Sequence, residues 1–132
     1  MNVGEVYFTL RGDSFDPGIV TAALGIEPTR VTRRASPVPK CSSWTLSSGK
    51  AVAEVIDVYA MAEVVIAKLS GSAEAIREVA KKHRLEATLQ VVLTISTNEN
   101  LSTPAIGLSV ECVQFLAAVG ASIDVDTYHG AS

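Results

Sequence analysis

The sequence predicts an α+β fold in which a mixed or antiparallel sheet carries helices on one face, resembling a ferredoxin-like sandwich. Segments with strand character alternate along the chain with segments of helical periodicity. The clearest strand, Thr88–Thr97, alternates apolar and polar side chains, which is typical of a sheet with one exposed face. The chain has 132 residues, 48% of them hydrophobic, which suffices for one core and a single domain over residues 1–132.

The N-terminal third is predicted to hold three strands and one helix. Asp16 and Pro17 are typical of a helix start, because Asp caps free N–H groups and Pro suits the first helical position. Gly25 is typical of a left-handed helix end. In chain order, the elements are the strand Val6–Arg11, the helix from Asp16 to Gly25, a brief strand at Val31 and Thr32, and the strand Ser43–Ser47.

The middle of the chain is predicted to be helical. Val52 to Leu69 places apolar side chains at alternating steps of three and four, which indicates one buried stripe. Residues 70–72 break this helix, and Ser72 is expected to cap the next one. The two helices form either a pair or one bent helix. The expected buried positions are Val52, Val55, Tyr59, Ala62, Ile66 and Leu69 in the first helix, and Ile76, Val79, Ala80 and His83 in the second.

The C-terminal third is predicted to complete the sheet. Ser109 is a typical helix cap and Gly120 a typical helix end. The elements expected here are a short strand at Ala105–Leu108, a helix with Val113, Leu116 and Val119 inward, and a closing strand Ile123–Tyr128.

Several function classes are disfavoured by composition. A formal net charge of -3 argues against a nucleic-acid binder, which needs surplus positive charge. The most hydrophobic stretch, Ala51 to Leu69, contains four charged residues, which argues against a membrane span. No signal-like N-terminal segment is visible, and Cys41 and Cys112 are isolated, without the spacing of a zinc or redox motif. We therefore expect a cytoplasmic protein with reduced thiols and no cofactor or metal.

Charge is unevenly distributed along the sequence. Residues 1–50 hold six basic and four acidic residues, with a basic cluster between Arg30 and Lys40, whereas residues 85–132 contain no Lys or Arg and five acidic residues. One interpretation is that the two regions are neighbours in the fold and partly neutralise each other. The other is that the acidic part presents a face to a basic partner.

Three groups of segments carry a resemblance to a known family. They are residues 8–10, 15–17 and 20–29; residues 43–46; and residues 104–109, 116–121 and 123–128. Together, these segments resemble the bacterial domain-of-unknown-function family numbered 4279. The family's frequent Lys-Gly pair is replaced here by Arg33-Arg34-Ala35. The resemblance implies a small bacterial protein and carries no agreed activity.

Two constellations are candidates for binding. Asp124 and Asp126 lie two residues apart in a predicted strand, so both carboxylates project from one face together with Tyr128. They could bind a cation or share a proton, or form the solvated face of an edge strand. The second constellation is Arg30, Arg33 and Arg34, whose guanidinium groups match phosphate or carboxylate, or simply solvate a loop.

Trp44, the single tryptophan, either anchors an interface or belongs to the core. No Ser or Cys has a recognisable base partner, so no catalytic residue is assigned. We expect a non-enzymatic domain that binds an unidentified protein, like a small immunity protein, and that remains compatible with a homodimer. The alternatives are a regulatory domain that binds a small anion through Arg30–Arg34, and an enzyme using Asp124, Asp126 and His129.

Overall fold

The central strand of the fold is β1 (Asn2–Gly12), which alternates between buried and half-buried side chains over most of its length. The structure is a computed structural model that describes residues 1–130. The other elements in this range are α1 (Pro17–Leu24), β2 (Arg30–Thr32), β3 (Ser42–Ser47), β4 (Ala51–Ala53), α2 (Val58–Leu69), a 3-10 turn (Ser70–Ser72), α3 (Ala73–His83), β5 (Glu86–Ser96), α4 (Val110–Val119) and β6 (Ser122–Gly130).

The strands form one six-stranded mixed sheet in the order β2-β3-β1-β5-β6, with β4 also paired to β1. β5 and β6 are parallel, and every other pair is antiparallel. A parallel pair needs a crossover connection, which the segment containing α4 supplies. The predicted α+β class with a mixed sheet is confirmed. The narrower expectation of a ferredoxin-like sandwich is not confirmed by this strand order.

The core lies between the sheet and the helices. Val6, Phe8 and Leu10 of β1 are fully buried, and they belong to one apolar cluster with residues from all four α-helices. Phe8 meets Phe115 of α4 edge-on, with ring centroids 6.4 Å apart. Aromatic rings prefer this geometry because the positive ring edge faces the negative ring face. The helices therefore cover one face of the sheet and leave the other open.

Helix ends follow the predicted capping residues. Asp16 accepts a hydrogen bond from Gly18 N and precedes α1, and Ser109 accepts one from Cys112 N before α4. Gly25 and Gly120 end these helices with φ of 68° and 70°, in the left-handed region that favours glycine. Both helix assignments are confirmed.

The predicted helix from Val52 to Leu69 is wrong in its first third. Residues 51–53 form β4, which pairs with Asn2–Gly4 of β1 beyond the end of β3. The helix begins only at Val58, where the Asp57 side chain caps Ala60 N at 3.0 Å. Val52 and Val55 are consequently exposed rather than buried. The free edge of β1 captures a segment whose apolar spacing also suits a helix.

Three smaller expectations also fail. No strand forms at Ala105–Leu108 within the described residues, although the segment leads into α4. In α4, Val113 is 47% exposed, and Cys112 and Phe115 are buried in its place. Ser72 makes no side-chain capping bond. The middle helices are two, α2 and α3, joined by the 3-10 turn.

Candidate functional site

The open face of the sheet, defined by Glu5, Tyr7, Thr9 and Arg11 of β1, is polar. Neighbouring strands extend it in rows, because residues paired across strands project to the same side. One row runs from Ser47 of β3 through Tyr7 and Gln90 to Asp124 of β6, and the next contains Glu5, Val92 and Asp126. The rows place side chains of β3, β1, β5 and β6 on one continuous surface.

Glu5 is the best-held charged group on the open face. Ser47 Oγ and Arg30 Nη1 donate to its Oε2 at 2.5 and 3.0 Å. Burial raises the pKa of this carboxyl, but these hydrogen bonds and the charge of Arg30 outweigh burial and hold the pKa below its ordinary value. The Arg30 guanidinium also lies 4.7 Å from the centre of the Tyr7 ring, a cation–π distance.

Tyr7 lies in the middle of this surface. Burial raises the pKa of its hydroxyl, Arg30 opposes that rise, and Glu5 and Asp126 add to it. Arg30 of β2 and Asp126 of β6 thus both affect the pKa of Tyr7. Its phenol therefore remains a neutral donor and acceptor at ordinary pH.

The acidic edge, defined here as Asp124, Asp126 and Tyr128 of β6, is exposed. The three side chains occupy every second position of the strand and all lie on the open face, as the sequence predicts. Gln90 Nε2 donates to Asp126 Oδ2 at 2.9 Å. Within residues 1–130, neither aspartate forms an ion pair. The carboxylates therefore keep acceptor capacity for an external donor.

The arginine cluster and the acidic edge lie at opposite edges of the sheet. Four strand spacings of about 4.8 Å put the β2 and β6 backbones roughly 19 Å apart. Arg30 pairs instead with Glu5, and Arg33 Nη1 pairs with Asp16 Oδ1 at 2.7 Å. Within residues 1–130, the first interpretation of the charge distribution, mutual neutralisation of the two regions, therefore holds for Arg11 and Glu86, which lie 3.9 Å apart, but not for these arginines and the aspartates of β6.

Trp44 lies in the core rather than on a binding surface. Its side chain is fully buried on the helix side of β3, and its indole N–H donates to Thr21 Oγ1 of α1 at 3.1 Å. A surface partner cannot reach the ring, so Trp44 leaves the set of candidate binding residues.

A shallow groove of about 350 Å³ crosses the open face between β1 and β6. Tyr7, Gln90 and Asp124 line one end, and Arg11 and Glu86 line the other. The row between them consists of Thr9, Thr88 and Ser122. Arg11 Nη2 and Glu86 Oε2 are 3.9 Å apart and both exposed, so this pair stabilises little. The groove offers mostly hydrogen-bonding groups to whatever contacts the acidic edge.

A second surface, the basic end, lies where β1 leaves the sheet. A cavity of about 480 Å³ is lined by Ser14, Arg34 and Lys40. An adjoining cavity of about 350 Å³ shares Ser14 and adds Arg11 and other residues. Those other lining residues are Gly12, Asp13, Cys41, His83, Arg84 and Glu86. Arg34 is therefore the member of the predicted arginine cluster that lines a cavity.

The structure does not bring together Asp124, Asp126 and His129, the residues that the enzyme alternative would use. His129 pairs with Ile95 in the sheet and projects to the face opposite Asp124 and Asp126, because neighbours in a strand alternate. Within residues 1–130, no three His, Cys, Asp or Glu side chains are grouped closely enough to hold a metal ion. Cys41 and Cys112 are both free thiols.

Sequence reasoning missed several residues of these surfaces. Tyr7 and Glu5 carried a usable signal, since Glu5-Tyr7-Thr9-Arg11 alternates with Val6-Phe8-Leu10. Gln90 carried a similar one within β5. His83 and Arg84 come from a segment that is distant in sequence, and no local pattern placed them near the basic cluster of Arg34 and Lys40.

Within the described residues, no helix combines the length and apolar character needed to cross a membrane.

Comparison with known proteins gives one match, to a protein-family model. No curated protein and no solved structure matches the chain. The family model described as a domain of unknown function, DUF4279, matches residues 1–130, and the chain belongs to that family.

Proposed function

We propose that this domain is a non-enzymatic protein-binding module that recognises a basic partner through the acidic edge of β6. The observation that carries the proposal is the exposure of the Asp124 and Asp126 carboxylates and their lack of an ion-pair partner within residues 1–130. Both carboxylates are exposed on an edge strand, and within residues 1–130 neither is neutralised by a cation. A one-signed surface of this kind steers an oppositely charged protein and favours correct partners.

The absence of Lys and Arg from the C-terminal part of the sequence supports the same proposal. Residues 85–132 contain no Lys or Arg, so nothing in this part of the sequence competes with a partner's cations. Small size and a single core fit a module that acts by occupying a partner, as a cytoplasmic bacterial immunity protein does. Binding of this kind requires no cofactor.

Affinity capture with charge-matched variants tests the proposal. The protein is immobilised and exposed to lysate of its own organism, alongside D124N/D126N and the control E27Q/E63Q, which removes two exposed carboxylates elsewhere. We expect wild type and control to retain the same basic protein in near-stoichiometric amount, and D124N/D126N to retain at least tenfold less. Retention should fall with added salt.

Two results would contradict the proposal. One is that no protein is retained in stoichiometric amount by wild type. The other is that D124N/D126N retains the partner as well as the control does. Native mass spectrometry of the purified protein supplies a parallel check, since a tightly bound metabolite would favour a different function.

The basic end supports a second candidate function, the binding of a small anion. The specific observation is that Arg34 and Lys40 line one cavity, while Arg11 and Arg84 line the cavity beside it. Guanidinium groups donate paired hydrogen bonds that suit phosphate and carboxylate oxygens. Asp13 and Glu86 in the second cavity oppose an anion, so the Arg34–Lys40 cavity is the stronger position.

Thermal unfolding in phosphate tests this second candidate. A ligand that binds only the folded state raises the melting temperature with concentration. We expect inorganic phosphate to raise it relative to sodium chloride at equal ionic strength, and R34Q/K40Q to abolish the difference. The control K68Q/R77Q, which removes two exposed cations from helices, should respond as wild type does. An equal response in R34Q/K40Q would exclude the cavity.

A further inference from the structure

Among residues 1–130, β6 is a long edge strand with one unpaired side. It ends the strand order of the sheet, and its nine residues pair with β5 without interruption from Ser122 opposite Thr88 to Gly130 opposite Ser96. At about 3.3 Å per residue, the strand spans roughly 30 Å. Along its outer side, alternate residues present N–H and C=O groups that an added strand would pair.

Edge strands are ordinarily protected by Pro, Lys, a bulge or short length. β6 contains no Pro, Lys or Arg, and its register with β5 shows no bulge. Its charges are both acidic, Asp124 and Asp126, and both lie on the open face. These carboxylates therefore disfavour an added strand with acidic side chains on the open face and favour one with cationic side chains there.

The two faces of β6 make different demands on an added strand. The acidic edge lies on the open face, whereas Ile123 and Val125 lie on the other face and are 47% and 39% exposed. Side chains of neighbouring strands meet on the same face. The complementary strand therefore carries cations on one side and apolar side chains on the other.

A second copy of β6 does not meet these demands. Antiparallel pairing about a two-fold axis at residue 126 engages all nine residues of β6 and puts Asp126 opposite its own copy, and an axis at 125 puts Asp124 opposite Asp126. Like charges directly opposite each other are destabilising. The most extensive self-pairing is therefore disfavoured, and no register gives either aspartate a Lys or Arg partner, because β6 contains neither residue.

The β2 edge of a second copy is basic but fits poorly. β2 has three residues against nine in β6, so most of β6 would stay unpaired. Its open-face cation, Arg30, is already held by Glu5 at 3.0 Å and by the Tyr7 ring at 4.7 Å. Pairing through β2 would compete with these contacts.

We infer that β6 accepts an extended segment of another protein as an added strand, and that this segment alternates cationic and apolar side chains. Main-chain hydrogen bonds to β6 supply affinity, and the alternation supplies specificity. The cations contact Asp124 and Asp126, while the apolar side chains cover Ile123 and Val125. The inference rests on the proposed function and specifies how the basic partner is held.

Three peptides test the inference directly. The first is a seven-residue peptide, capped at both ends, that alternates Val and Lys. The second has the same sequence with all interior amide nitrogens methylated, which removes the N–H donors of a ladder. The third replaces Lys with Glu. By fluorescence anisotropy, we expect the first to bind and the other two to bind at least tenfold more weakly.

Protein variants locate the binding to β6. D124N/D126N should weaken binding of the Val-Lys peptide at least tenfold, and E27Q/E63Q should leave it unchanged. I123K places a cation on the apolar side of the edge and should also abolish binding. Its control is V55K, at a position 70% exposed outside the sheet. Thermal unfolding verifies that each variant folds, and hydrogen exchange should show peptide-dependent protection of residues 122–130 and none of residues 30–32.

Equal binding of the methylated peptide, or wild-type binding by I123K, would overturn strand addition. So would self-association of the free protein that I123K abolishes, since that assigns β6 to a second copy. If lysate capture depends on Asp124 and Asp126 while methylation has no effect, strand addition fails and the proposed function stands. If peptide binding behaves as expected but no lysate partner is captured, the proposed function fails instead.

Discussion

The Arg30 guanidinium lies 3.0 Å from the Glu5 carboxylate, and this contact joins the edge strand β2 to the central strand β1 across β3. Ser47 of β3 donates to the same carboxylate oxygen. Three strands are thus linked through one acidic side chain that is only 14% exposed. Charge-assisted hydrogen bonds of this kind are stronger than neutral ones.

Replacing Glu5 with Gln should destabilise the protein at neutral pH and flatten its pH dependence. The folded-state pKa of Glu5 lies below its ordinary value of 4.5, so its contribution is full above that value and is lost as pH falls through the folded pKa. We expect E5Q to cost about 1 kcal/mol at pH 7. The difference from wild type should shrink as pH falls below about 4.5.

Urea unfolding at pH 7, 5 and 3 measures this difference. E63Q, at an exposed position on α2, is the control and should follow the wild-type profile. A constant difference between E5Q and wild type at all three pH values would contradict the assigned role of Glu5.

Removing the acceptor of the Trp44 indole N–H should destabilise the junction of β3 and α1. T21V keeps the shape of the side chain but leaves a fully buried donor without its 3.1 Å partner. An unsatisfied buried donor costs about 1–3 kcal/mol. Urea unfolding followed by circular dichroism, a signal that does not depend on the tryptophan, measures the cost. In a W44F background, where no donor remains, T21V should cost at least 1 kcal/mol less; equal costs in both backgrounds would refute the hydrogen bond.

Adding a methyl group at Gly4 should overpack the core. A Cβ at this position would lie 2.7 Å from Ile56 Cγ2 and 3.2 Å from Leu93 Cδ2. Ile56 is 3% exposed and has little room to move. We expect G4A to cost about 1–3 kcal/mol in thermal or urea unfolding. I56A removes the contacting methyl group, so G4A should cost less in that background, and strictly additive costs would show that the contact is not the cause.

Alanine should be unfavourable at Gly120 and tolerated at Gly71. Gly120 ends α4 with φ of 70°, where a Cβ costs about 1–2 kcal/mol. Gly71 has no positive φ, and a Cβ there meets no atom within 4 Å. We expect G71A to be neutral or to stabilise by up to about 1 kcal/mol, through lower entropy of the unfolded chain. Paired melting curves measure both, and a G120A variant as stable as G71A would contradict the backbone argument.

The sequence by itself determined the elements whose signals are local. Asp16, Gly25 and Gly120 mark helix ends because capping depends on neighbouring backbone groups. The alternation in β1, β3 and β5 determined which side chains face the helices. It also placed Asp124, Asp126 and Tyr128 on one face of β6, since alternation is a property of any strand.

Only the tertiary structure decided which segments became neighbours. Residues 51–53 were drawn into the sheet by the unpaired Asn2–Gly4 edge of β1, which no local pattern announces. The strand order put Arg30 and the acidic edge on opposite sides of the sheet and gave Arg30 to Glu5. In the part of the chain that the structure describes, it also left one side of β6 unpaired. These outcomes depend on contacts between residues far apart in the chain, and the free energy of such contacts is set by the whole fold rather than by any one segment.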